Sequence, residues 1–164
     1  MSGRRPHRVA ILMGSDSDHP VMQAAEETLA QFGVETDVRV ISAHRTPDRL
    51  VRFLAEAEEA GVAAIICGAG WAAHLAGATA ANTTIPVLGV PIDSSPLQGM
   101  DALLATVQMP PGIPVGTLGI GAGGARNAAL LVVAFLARFD PDLAKKLSEF
   151  RAAQSAAVPE RPTR

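Results

Sequence analysis

The stretch ETDVRVISAHRTPDRLVRFLAEAEEAG, residues 35–61, contains the fold's repeating unit in a single pass. ETDVRVI alternates apolar and polar side chains, the two-residue period of a strand. A few residues later the period changes. Thr46 is a residue type that caps helices and Pro47 one that opens them. Leu50, Val51, Phe53, Leu54 and Ala57 then recur on one helical face, and Gly61 suits the position just past a last turn. Between strand and helix lie only Ser42, Ala43, His44 and Arg45. A histidine beside an arginine on so short a connection, in a chain with 4 histidines, asks for a chemical reason.

The same alternation runs outward in both directions. RVAILMG (8–14) reads as a buried strand and SDSDHPVMQAAEETLAQFG (15–33) as its helix, with Pro20 in the first turn and Gly33 at the C-cap. VAAIICG (62–68) is a third strand and AAHLAGATAANT (72–83) a helix of small residues. IPVLGV (85–90) is a fourth strand, PIDSSPLQG (91–99) a loop and MDALLATVQM (100–109) a helix. IPVGTLGIG (113–121) is a fifth strand. GARNAALLVVAFLARF (124–139) and PDLAKKLSEFRAAQSAAV (141–158) are two final helices, the second opened by Asp140-Pro141. Strands separated by helices predict an α/β fold of three layers: a five-stranded parallel sheet in flavodoxin-like order, helices on both faces, and an extra C-terminal helix. We expect one domain over 1–164, with loose tails at 1–7 and 158–164. The helix is apolar around its whole circumference from Ala128 to Ala137. It should therefore be buried on all sides, partly by neighbouring subunits.

Composition narrows the function classes. The formal net charge of −2 gives no basic balance for nucleic acid, and 1 tryptophan with 0 tyrosines leaves few platforms for stacking bases. Charged residues make up 18% of the chain, and its mean hydropathy is positive, which points to a homo-oligomer that hides apolar surface. The single cysteine, Cys67, excludes an internal disulfide and a cysteine-built metal site, and its apolar setting reads as a buried core thiol. The opening MSGRRPHR lacks the apolar stretch of a signal peptide, and no run is long enough to span a bilayer. A cytoplasmic protein without membrane partners is the expectation.

In open α/β sheets ligands bind outside the carboxyl ends of the strands, so the strand-to-helix loops are where chemistry belongs. The first loop holds Gly14, Ser15, Ser17 and Asp18 at a helix start, which suits an anion, although plain N-capping explains the same residues. It is neither a P-loop nor a dinucleotide fingerprint. In the second loop Arg45 can fork onto a phosphate and His44 can act as acid and base, against the alternative of a solvated pair. In the third, GAGWAAH (68–74), glycines including Gly70 allow close backbone approach, and His74 sits near a helix start. A structural histidine is the commoner case there. With the strand order above, these three loops are neighbours. Ser15, Asp18, His44, Arg45 and His74 then converge on one crevice fit for a phosphorylated, sugar-bearing small molecule.

ILMGSDSD (11–18), SAHRTPDRL (42–50), GAGWAAHLAG (68–77), IPVLGVPI (85–92), VQMPPGIPVGTLGIG (107–121) and NAALL (127–131) together resemble the 5-(carboxyamino)imidazole ribonucleotide mutase family of purine biosynthesis, in order and over nearly the whole chain. The resemblance implies an isomerase that moves a carboxylate from an exocyclic amine to the adjacent ring carbon. It implies an octamer of flavodoxin-like subunits with no metal and no organic cofactor. His44 matches the catalytic histidine, a residue type whose ordinary pKa of about 6.5 suits giving and then taking a proton. Ser15, Asp18 and Arg45 match nucleotide-binding positions, Ser15 and Arg45 for the phosphate and Asp18 for the ribose hydroxyls. Ser17, Ser42, Gly70 and His74 are expected beside the substrate. The related carboxylase, which uses free carbon dioxide, is the alternative; it tends to carry lysine where Arg45 stands and lacks AAHL. A nucleotide-binding paralogue inactivated at Trp71 is the non-enzyme alternative, and a flavin module lacks its aromatics. Trp71 stands where the family pattern GAGGAAHL has glycine, Asp16 puts a negative charge in an anion loop, and Ala76 replaces a common proline.

Overall fold

The computed structural model describes residues 7–162. Residues 1–6 and 163–164 of the expected tails lie outside the described residues. His7 is tied down: its carbonyl accepts from the Glu35 N–H at 2.9 Å, and its Nε2 lies 3.0 Å from Asp140 Oδ2. Residues 159–162 are exposed and form no helix or strand.

Five parallel strands form one sheet in the order β2-β1-β3-β4-β5. They are β1 (Arg8–Met13), β2 (Glu35–Val40), β3 (Ala64–Gly70), β4 (Val87–Ile92) and β5 (Gly116–Thr117). This is the expected flavodoxin-like order, with its reversal between β1 and β3. The helices are α1 (His19–Phe32), α2 (Pro47–Glu59), α3 (Leu75–Ala80), α4 (Met100–Val107), α5 (Gly121–Leu136) and α6 (Pro141–Ala156).

The central strands explain the layering. Val9, Ile11 and Met13 of β1 join one apolar cluster with Met22, Leu29, Ala128, Val132 and Leu147. Ala10 and Leu12 join a second with Leu50, Phe53, Leu54, Ile65 and Leu75. Successive side chains of a strand point to opposite faces, so an unbroken apolar run needs helices on both sides. Cys67 falls in the second cluster; burial pushes its thiol up to about 12, and its Sγ lies 3.5 Å from Thr79 Oγ1.

Several boundaries differ from those the sequence suggests. β4 runs through Pro91 and Ile92, which read as loop, because both pair in register with Ala69 and Gly70. β5 keeps only two residues of an expected nine-residue strand, since its pairing with β4 covers Gly116 and Thr117 alone. Thr46 stands at the N-cap of α2, but its hydroxyl makes no cap bond. It donates to the Ser42 carbonyl at 3.0 Å and accepts from the Ser42 N–H at 3.0 Å, stapling the loop instead. Within the single chain α5 is covered on one side only, the other being the part expected to meet neighbouring subunits. Ala125, Ala128, Ala129, Val132 and Val133 face the core, while Leu131 and Phe135 are 37% and 61% exposed. The chain has one sheet face to offer this helix, so its far side stays open.

One close approach sets the start of α5. A Cβ on Gly124 would run into the backbone carbonyl of Gly119, which has no flexible side chain to move aside. Gly124→Ala should therefore lower stability by about 1–3 kcal/mol, read as a fall in the thermal unfolding midpoint. An unchanged midpoint would show that the turn before α5 yields.

Candidate active site

The reversal of strand order at β1 and β3 opens a crevice at the carboxyl ends of the strands. Its volume is about 350 Å³, and its walls include Ser15, Ser17 and Asp18 after β1, His44 and Arg45 after β2, Gly70, Trp71 and His74 after β3, and Ser94 after β4. Of the residues expected from the sequence to act on or bind the substrate, Ser42 alone is missing from this wall. It lines an adjoining hollow with Ser15, Asp16, Arg45 and Arg49.

The first loop folds into a short 3-10 turn over Asp16–Asp18 with reciprocal capping. The Ser15 N–H donates to Asp18 Oδ2 at 3.0 Å, and the Ser17 hydroxyl donates to Ser15 Oγ at 2.9 Å. The Ser15 oxygen thus accepts within the loop, and its own hydroxyl hydrogen is not used there. So the capping reading of this loop is correct. Asp16 is exposed and lies outside the main crevice wall.

The second loop is rigid where it needs to be. Ser42 Oγ accepts from the Arg45 backbone N–H at 3.2 Å and from its Nε at 3.3 Å, and Arg45 Nη2 donates to the Gly14 carbonyl at 3.1 Å. Arg45 therefore bridges the first two loops while its remaining N–H groups stay available for an anion. Ser42 acts here on Arg45.

The third loop brings the second histidine. His44 Nε2 and His74 Nδ1 are 2.8 Å apart, and the rings meet edge to face at 83°. His74 is the N-cap residue of α3 without a side-chain cap bond, so its ring is free to meet His44. Gly70 lies close against Ser94: a Cβ there would displace the Ser94 hydroxyl and come within 3.2 Å of the Ile92 carbonyl. Ser94 escaped the sequence reading. DSS (93–95) sat inside a stretch read as plain loop, although the rule that ligands gather beyond strand ends applied to it as well. Trp71 adopts φ 52°, one of two positive-φ non-glycine residues among those described. The left-handed backbone costs a tryptophan about 1–2 kcal/mol.

The sheet order and the crevice at its switch point define a flavodoxin-like α/β protein with a small-molecule site. Residues 8–157 match the AIR carboxylase family. The N5-carboxyaminoimidazole ribonucleotide mutase of Brucella melitensis is 56% identical over 155 residues, covering 94% of this chain and 96% of that protein. The protein of the same name from Escherichia coli K12 is 54% identical over 163 residues, covering 99% and 96%. A crystal structure of Treponema denticola PurE aligns with a TM-score of 0.84 at 28% identity, covering 93% of each chain. The chain belongs to the AIR carboxylase family.

Asp18 gives the site a pH signature. Burial raises its pKa from the ordinary value, against the lowering effect of backbone N–H groups at Ser15 and Gly14 and of the Arg45 charge. The folded state then holds a proton that the unfolded chain releases just above about pH 3.9. Asp18's contribution to stability is present below that pH and declines as pH rises through the folded pKa. Asp18→Asn should remove this component. The variant's unfolding midpoint should gain on the wild type's as pH rises across that acid window, and a constant difference would refute the assignment.

Proposed function

We propose that this crevice binds a phosphorylated aminoimidazole ribonucleotide and moves a carboxylate from its exocyclic amine to the adjacent ring carbon. The observation that carries the reading is the His44–His74 pair, 2.8 Å apart in a crevice whose rim holds Arg45 and Ser15. Relatives at 54–56% identity that are named for this reaction support it.

Arg45 and Ser15 take the phosphate, the guanidinium through its free N–H groups and Ser15 through its hydroxyl. Asp18 accepts from the ribose hydroxyls. Ser42 holds Arg45 in place, and Ser17 holds Ser15. Gly70 lets the base lie close to the loop.

The carbamate loses carbon dioxide when its nitrogen gains a proton: the N–C bond breaks and its electron pair stays on nitrogen. The aminoimidazole left behind is nucleophilic at the ring carbon, like an enamine. That carbon attacks the retained carbon dioxide, forming a C–C bond, and then gives up its proton to restore aromaticity. One group that donates first and accepts afterwards closes the cycle, and His44 is that group. The contact with His74 orients the His44 ring, so that its other nitrogen, Nδ1, gives a proton to the carbamate nitrogen and afterwards takes back the proton that leaves the ring carbon. No step calls for a metal or an organic cofactor.

The assembly we propose is a homo-oligomer, an octamer, supported by apolar surface that a lone chain leaves open: Met100, Leu104 and Val107 on α4, Phe135 on α5, and Phe139 just beyond it. We place the enzyme in the cytoplasm, since a phosphorylated ribonucleotide does not cross a membrane unaided.

His44→Asn should keep the fold and the affinity for aminoimidazole ribonucleotide yet lower kcat by about 10²–10⁴-fold. Near-normal turnover would remove His44 from the proton chemistry. With substrate labelled in its carboxylate and excess unlabelled bicarbonate, label should stay on the ring carbon. Unlabelled product would instead favour a carboxylase working from free carbon dioxide.

A further inference from the structure

Ser94 is a polar residue of the crevice wall that neither the phosphate anchor nor the proton transfer uses. It follows β4 and lines the crevice beside Gly70 and His74. Its hydroxyl has no hydrogen-bond partner among the described residues, whereas the Ser17 hydroxyl is bonded to that of Ser15. The space it occupies is kept open for it: Gly70 carries no side chain, and a Cβ there would fall on the Ser94 hydroxyl. The loop that carries Ser94 is braced. The next residue, Ser95, is buried; its hydroxyl donates to Asp101 Oδ1 at 2.8 Å and accepts from the Leu97 N–H at 3.1 Å. A fixed loop thus presents an unused hydroxyl to the crevice.

The order of the sheet says which part of a nucleotide it meets. Ser15, Asp18 and Arg45, the groups for phosphate and ribose, follow β1 and β2, and the loop after β4 lies beyond β3 on the far side from β2. A nucleotide anchored at the first end directs its base toward the second. The reacting base carries one charged substituent, the carboxyl group that moves. That group is a carboxylate on nitrogen, then neutral carbon dioxide, then a carboxylate on carbon. A full positive charge beside it would favour the first state over the transition state for losing carbon dioxide, and so slow the step. An uncharged hydroxyl can donate to either carboxylate without so large an imbalance. We propose that the Ser94 hydroxyl donates a hydrogen bond to the migrating carboxyl group and lets the site tell carboxylated from uncarboxylated aminoimidazole ribonucleotide. This rests on the carboxyl-shift reading above and adds a substrate-contacting residue to it.

Calorimetry on wild type, Ser94→Ala, Gly70→Ala and the double variant tests the proposal with two ligands, aminoimidazole ribonucleotide and its ring-carboxylated product. Ser94→Ala removes an exposed hydroxyl that bonds to no described residue, so its thermal midpoint should match wild type. It should bind the uncarboxylated nucleotide as wild type does and the carboxylated one about 10-fold more weakly. Gly70→Ala should lower the same ratio of affinities by displacing the hydroxyl, and in the Ser94→Ala background it should lower it no further. An unchanged ratio in Ser94→Ala overturns the proposal, and so does a loss of equal size for both ligands. Equal lowering of the ratio by Gly70→Ala in both backgrounds overturns it as well. Turnover tests the reaction separately. A wild-type protein that binds both nucleotides but forms no product would refute the carboxyl-shift reading, while the ratio still decides whether Ser94 holds the carboxylate.

Discussion

Burial of β1 on both faces is the constraint from which the rest follows. Val9, Ala10, Ile11 and Leu12 are all fully buried, and so are Ile65 and Ile66 of the neighbouring β3. A strand that buries alternate residues on opposite sides must be covered twice. The chain does this with α1, α5 and α6 on one face and α2 and α3 on the other. Right-handed crossovers that leave in opposite directions from β1 and β3 cannot also fill the space above their carboxyl ends. The crevice is that unfilled space. It exists because β1 and β3, side by side at the centre, send their connections to opposite edges of the sheet.

The chemistry of the crevice depends on loops that hold one another. Arg45 bonds to Gly14 across the sheet, Ser42 steadies Arg45, and Thr46 staples Ser42. His44 is carried on that braced loop and meets His74, which is carried on the start of α3. Each bond is ordinary in strength, of order 1 kcal/mol. Their joint effect is geometric: two imidazoles, a guanidinium and a hydroxyl are presented to one small volume without waiting for a ligand to arrange them. Preorganisation of this kind reduces the cost of ordering when a ligand binds.

The surface facing away from the sheet differs in character. α5 has one side in the core and Leu131 and Phe135 on the other, Phe139 follows it, and α4 exposes Met100, Leu104 and Val107. These exposed side chains are the surface on which the proposed homo-oligomer rests. They give physical content to the positive hydropathy of the chain. The excess apolar character lies outside the core, on helices whose inner faces are already satisfied.

Local pattern carried much of this in advance. The periodicity switch across residues 35–61, the caps at Gly33 and Asp140, and the unbroken run of β1 specified strands, helices and a two-sided sheet, because these depend on side chains a few residues apart. Residue type and loop position also pointed to Ser15, Asp18, His44, Arg45 and His74, since chemistry in such sheets gathers at strand ends. Tertiary structure alone decided the remainder. β5 shrank to two residues because pairing depends on a distant partner, β4. Arg45 came to bond Gly14, Ser94 came to lie against Gly70, and His44 came within 2.8 Å of His74, because each contact joins residues that only the folded sheet brings together. Trp71 is the clearest case. Its residue type marked it as unusual, but whether it faced the crevice was set by a backbone angle that no local pattern encodes.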